Sequence, residues 1–187
     1  MRSSVRVAAI FVAGAIFAQA QTKNPEWAER MILEVRSSSF PELRNRDIRV
    51  RQFDSSTDYF QARFGIWRFL TLRRMQYVIR VNAADALRAA SEDGRRAIIA
   101  HELAHVAYYA KGNRLRLFGL IRLASQGFRE RFEKRADLDA LRRGYAQGLK
   151  EYRVWLYQQV TGGVLDEKKR DYLTPEEIDA IQRPNGK

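Results

Sequence analysis

The chain holds two histidines, and both stand in one short run, His101-Glu102-Leu103-Ala104-His105. On a helix, positions i and i+4 lie on the same face, so both imidazoles can reach one metal ion. Glu102 is about 100° round the helix from His101, near enough to reach a water on that metal without being a ligand. The flanks, Ala97-Ile98-Ile99-Ala100 and Val106-Ala107-Tyr108-Tyr109, are apolar, as in a helix crossing a core. A glutamate there is costly unless it has a partner or a task. The alternative is a buried histidine pair satisfied by hydrogen bonds alone. A catalytic zinc needs a third protein ligand and keeps one position open. With no further His and no Cys, that ligand must be a carboxylate. The run Glu133-Lys134-Arg135-Ala136-Asp137 places two carboxylates at i and i+4. Glu133 is positioned to ligate the metal and Asp137 to accept the spare N–H of a ligand histidine. Glu130, one turn earlier, is the alternative ligand, and Asp139 points away from the Glu133 face. The chemistry implied is hydrolysis. Zinc lowers the pKa of a bound water toward about 7. Glu102 takes its proton and later delivers it to the leaving amine.

The elements around these residues follow from periodicity. Pro25 and Glu26 open a helix running to about residue 36, with Trp27, Met31, Ile32 and Val35 on one face. Ser37 to Ser39 and Pro41 break it. Ile48, Val50 and Phe53 mark a short strand, and 59–64 a second. The clearest strand is 75–82, where Met75, Tyr77, Ile79 and Val81 alternate with Gln76, Val78, Arg80 and Asn82. Ser91-Glu92-Asp93 starts the helix that carries His101 and His105, and Gly112-Asn113 stops it. Three further helical stretches are expected near 114–124, 127–147 and 149–160, with Gly162-Gly163 ending the last. Thr174-Pro175-Glu176-Glu177 caps a short final helix. The plan is α+β: a small antiparallel or mixed sheet packed on a helical core.

The first twenty residues read as an export signal. Arg2 and Arg6 precede an uncharged run over 7–17, and Ala18-Gln19-Ala20 supplies small residues at a cleavage site. The apolar run is short of the roughly 20 residues a membrane span needs. The expectation is a signal over 1–20, a single domain over 21–187, and a periplasmic or secreted location, with membrane anchoring if the signal stays uncleaved.

Composition sets the outer bounds. The chain has 187 residues, 45% of them apolar and 30% charged, a globular balance able to bury a real core. The absence of Cys excludes disulfides, thiol catalysis, Cys-type zinc fingers and iron–sulfur clusters. The net charge of +12 comes mostly from Arg and predicts attraction to polyanions or anionic surfaces. The stretch 115–123, apolar with Arg, fits a core-facing helix, a substrate cleft or weak contact with an anionic membrane surface.

HExxH followed downstream by ExxAD resembles the gluzincin metallopeptidases, most closely the M48-like family of Ste24- and HtpX-type peptidases in a minimal soluble form. The resemblance covers roughly residues 75–150. It implies a zincin-like fold with His101, His105 and Glu133 as zinc ligands, Glu102 as general base, and Asp137 supporting a ligand histidine. By the same analogy, strand 75–82 would bind substrate along its edge. The membrane-embedded members carry spanning helices that this chain lacks. They also use a further His, Arg or Tyr to stabilise the transition state. Tyr145, Tyr152 and Arg153 are the candidates here.

The expected function is a zinc endopeptidase with one zinc per chain and a peptide or protein substrate. Two other readings stay in view: a zinc-binding but inactive or latent relative acting as a scaffold, and a basic polyanion-binding module. No recognised nucleic-acid motif is present.

Overall fold

The computed structural model describes residues 26–64, 75–82, 85–112 and 125–183. The expected export signal and the apolar stretch 115–123 lie outside the described residues. The architecture is α+β. Helix α1 (Glu26–Ser39) leads into strands β1 (Asp47–Phe53), β2 (Phe60–Phe64) and β3 (Gln76–Asn82). Helices α2 (Glu92–Lys111), α3 (Gln126–Arg142), α4 (Ala146–Gln159), α5 (Gly162–Asp171) and α6 (Pro175–Gln182) follow.

The three strands form a mixed sheet in the order β1-β3-β2, with β1 parallel and β2 antiparallel to β3. Tyr77, Ile79 and Val81 of β3 are buried, as their alternation requires. They join one core with the buried face of α1 (Ala28, Met31, Ile32, Val35) and with Ile99, Leu103 and Val106 of α2. The strand expected to offer a substrate edge is therefore the central one. Its backbone groups are spent on both neighbours, from Asp47↔Gln76 on one side to Phe64↔Tyr77 on the other, and it has no edge to lend.

Helix α2 is buried nearly all round, which is the signature of a central helix. It packs against α1, α3, α4 and β2. Ser91 caps it: the Ser91 hydroxyl oxygen accepts from the Gly94 N–H at 3.0 Å, and the hydroxyl donates to Glu151 at 2.6 Å. Asn82, buried at the end of β3, donates to the carbonyls of Ser55 and Asp58 at 2.6 and 2.7 Å, fixing the loop before β2 against the end of β3.

Three boundaries differ from expectation. Helix α1 runs on through Ser39, because the Ser37 and Ser38 hydroxyls each donate to the Glu34 carbonyl at 2.9 Å instead of competing for the turn. The break expected near 148, between helices over 127–147 and 149–160, falls instead at 143–145. Gly144, at φ +92°, takes the left-handed conformation that ends α3 and re-aims the chain into α4. Gly162-Gly163 opens a helix rather than only closing one: α4 ends at Gln159 and α5 begins at Gly162. The charged run Asp166 to Asp171 hides that helix from an apolar-periodicity reading. At the C-terminus, Thr174 and Glu177 form the reciprocal capping box that their spacing predicts.

Gly148 marks the closest approach of α4 to α2. A Cβ there would fall on the Asp93 carbonyl and lie 3.1 Å from the Ala97 Cβ. Gly148→Ala is expected to destabilise the fold by about 1–3 kcal/mol by overpacking. Gly163→Ala meets nothing within 4 Å and should be neutral or up to about 1 kcal/mol stabilising. Urea unfolding midpoints check both, and an unchanged midpoint for Gly148→Ala would contradict this helix contact.

Candidate metal centre

Helix α2 presents His101 and His105 one turn apart, and α3 crosses it to bring Glu133 and Asp137 alongside. His101 Nε2 and His105 Nε2 lie 3.1 Å apart. Glu133 Oε2 sits 3.2 Å from the first and 3.0 Å from the second. Ligands about 2.0–2.2 Å from a tetrahedral zinc are about 3.3 Å from one another. The triangle therefore has the dimensions of three ligands around one ion, and these three residues form a possible metal-binding triad.

Asp137 decides which His101 nitrogen faces the triad. Its carboxylate is wholly buried. Oδ1 lies 2.7 Å from His101 Nδ1 and accepts from the Arg153 guanidinium at 2.8 Å, while Oδ2 accepts from the Leu173 N–H at 2.8 Å. With Arg153 and the Leu173 N–H keeping Asp137 ionised, it is acceptor-only. His101 Nδ1 must then carry the proton, which leaves the Nε2 lone pair turned toward Glu133 and His105. A second acceptor, Glu133 Oε2, faces that lone pair. Two acceptors at hydrogen-bond distance need a cation or proton between them.

The electrostatics carry the same preference. Burial opposes a charged His101, but Asp137 and Glu133 outweigh it and raise its pKa to about 10. Burial also opposes the Glu133 carboxylate, yet the two imidazoles hold its pKa far below the usual carboxylate range. An environment that stabilises a proton at this point stabilises a metal ion there. Glu102 behaves differently. Burial raises its pKa, the two histidines and the Ala62 N–H on β2 pull it down, and Glu133 pushes it up, with a net rise. A carboxylate held above its ordinary pKa is the form suited to taking up a proton.

The other sequence candidates separate cleanly. Glu130 is not part of the triad; it pairs with Lys134 at 3.4 Å. Asp139 is held by Arg143 at 3.2 Å. Tyr145 bonds the Ser39 hydroxyl at 2.8 Å, on the side of α1. Tyr152 is buried with its ring against Trp155. Arg153 is committed to Asp137, and its guanidinium lies 4.4 Å over the Tyr172 ring.

Tyr172 is the residue that sequence reasoning missed. Its ring centre is 5.8 Å from that of His101, and it shares a pocket of about 30 Å³ with His101, Glu102, Tyr59 and Lys168. Burial and the nearby Glu133 raise its pKa well above the ordinary value, so it keeps its proton and remains a donor. It follows α5, outside any periodic pattern, and its only local signal is its place just before the Thr174 cap. No family model, curated protein or solved structure matches the chain.

Asp137→Asn should leave Arg153 buried without its counter-charge and should cost about 3–5 kcal/mol at pH 7. Burial raises the pKa of Asp137, but Arg153, His101 and the Leu173 N–H bring it below the ordinary 3.8. Its stabilisation is therefore complete above that value and lost as pH falls through the folded value. Urea unfolding of both chains should show a deficit that persists from pH 7 to about 4 and shrinks below it. A deficit absent at pH 7 would contradict the role given to Asp137.

Proposed function

We propose that this chain is a zinc-dependent peptide hydrolase of gluzincin type, M48-like, with a zincin-like core. One observation carries the reading: His101 Nε2, His105 Nε2 and Glu133 Oε2 converge within 3.0–3.2 Å, with Glu102 beside them on α2. The donor set, two imidazoles and one carboxylate, suits zinc and leaves a coordination position open. When bound, zinc supplies an acidified water and polarises the scissile carbonyl.

The rest is work for the chain's own residues. Glu102 accepts the water proton on its carboxylate and returns it to the leaving amine. Asp137 keeps His101 in one tautomer and one orientation, and Arg153 keeps Asp137 ionised. The Tyr172 hydroxyl takes the place of the transition-state donor for which Tyr145, Tyr152 and Arg153 were the sequence candidates. The Tyr172 ring borders the pocket shared by Glu102 and His101, and its high pKa keeps the O–H available. An extended peptide would pair along β2, since β3 is enclosed and the Ala62 N–H of β2 acts directly on Glu102. Among the described residues, the outer side of β2 carries no strand.

A second reading, a latent zinc-binding form, has its own observation. The pocket against Glu102 holds about 30 Å³, room for one or two waters rather than a peptide. Lys168 of α5 and Asp58, both lining it, are paired at 2.6 Å. Export remains a proposal resting on residues 1–20. No helix among the described residues is long and apolar enough to cross a membrane.

Glu102→Gln is expected to lower turnover of quenched peptide substrates by at least about 10²-fold while leaving zinc content unchanged. Tyr172→Phe should lower kcat by about 10²-fold with little change in KM, as for loss of one oxyanion donor. Full activity in Glu102→Gln would refute the mechanism. Zinc binding with no cleavage by the unaltered chain would establish the latent reading.

A further inference from the structure

A groove of about 420 Å³ runs between the C-terminal half of α2 and the middle of α3. Its floor is aromatic. His105 stacks on Phe132 with ring centres 4.6 Å apart, and Tyr108 meets Phe132 edge-on at 5.2 Å. Its rim is basic: Lys111, Arg135 and Arg142 line it, all three exposed. The pattern is set by the helices. Phe132, Arg135 and Arg142 recur on the face of α3 that α2 approaches, while Tyr108 and Lys111 stand on the facing side of α2. Arg135 lies 5.3 Å over the Tyr108 ring, which holds its guanidinium at the groove. Among the described residues no carboxylate pairs with Arg135 or Arg142. The one acid lining the groove, Asp139, is bonded to Arg143.

The groove also touches the metal triad. His105 is at once its floor and a ligand, and Glu133, on the preceding turn of α3, is the triad member with the most exposure, 18% against 1% and 7% for the two histidines. Glu133 belongs to α3, the helix that forms one wall of the groove, and its neighbour Phe132 and the triad's His105 both line it.

We infer that this groove is a specificity site for acidic side chains of the peptide substrate, next to the scissile bond. The inference rests on the hydrolase reading for the term substrate, though not for the binding itself. Two guanidiniums with no carboxylate partner among the described residues, beside the Lys111 ammonium that lies 3.9 Å from Glu42, fit a Glu or Asp side chain above the aromatic floor: the carboxylate meets the Arg forks and the methylenes lie on the rings. A lysine or arginine side chain would meet like charge.

The test uses the full chain carrying Glu102→Gln, loaded with zinc so that ligand is not consumed. Two fluorescent decapeptides, alike except for Glu-Glu or Gln-Gln beside the central bond, are titrated at about 0.15 M salt, where surface charges beyond about 8 Å are screened. Anisotropy should show the Glu-Glu peptide bound about tenfold more tightly. That ratio should fall to about one in Arg135→Gln/Arg142→Gln and survive in Arg49→Gln/Arg51→Gln, which removes the same charge from β1. A ratio near one in the starting chain, its survival without Arg135 and Arg142, or its equal loss in the β1 variant would each overturn the inference. The two proposals fail separately. If the unaltered chain cleaves neither peptide while the ratio holds, the hydrolase reading falls and the groove stands. If it cleaves both peptides with equal kcat/KM and shows no ratio, the groove falls and the hydrolase reading stands.

Discussion

A fully buried carboxylate, Asp137, has three donors around its two oxygens: the Arg153 guanidinium, His101 Nδ1 and the Leu173 N–H. Taking that charge and the equally buried Arg153 out of water costs several kcal/mol per ion before they attract each other. Apolar residues of the same volume would serve stability as well. What the pair supplies is a fixed proton. With Asp137 ionised, a neutral His101 has a single tautomer, whose Nε2 lone pair is aimed at Glu133 and His105. The network joins α2, α3, α4 and the turn after α5, so the site is assembled only when all four are in place. The buried contacts of α2 with its neighbours, down to Gly148 against Asp93, set the distances on which that assembly depends.

Much of this was legible in the residues. The period-2 pattern of Tyr77, Ile79 and Val81 identified the buried strand, and Ser91 and Gly112 bounded the helix between them. The spacing of His101, His105, Glu133 and Asp137 named the residues that the fold brings together. Those features are local: a helix repeat places i and i+4 on one face whatever the rest of the chain does. Pairing order is not local. That β3 lies between β1 and β2, and so cannot offer an edge, depends on contacts distant in sequence that no single strand encodes. A break between α3 and α4 was legible, but its place was not: an apolar pattern runs on past Gly144, whose positive φ sets the turn. The α5 helix was hidden because its sequence is mostly charged. Arg153 and Tyr172 carry no motif at all; their roles come from stacking on each other beside Asp137.

The surface charge falls into two populations. Some basic residues are spent on structure: Arg36 on the carbonyls that close the turn after α1, Arg143 on Glu42 and the Ser39 carbonyl, and Lys168 on Asp58. Others, Arg135 and Arg142 among them, face solvent at a concave surface next to the triad. A net charge of +12 does not distinguish these populations, and position does. The small pocket at Glu102 is lined by His101, and the larger groove is lined by His105.

The proposed activity requires that His101, His105 and Glu133 together hold one ion. Metal analysis of the purified full chain beside Glu133→Ala, each reconstituted with zinc and desalted, tests that directly. About one zinc per chain, falling to a small fraction without the Glu133 carboxylate, is the expected result. No zinc in the unaltered chain, or the same stoichiometry in both, would contradict it.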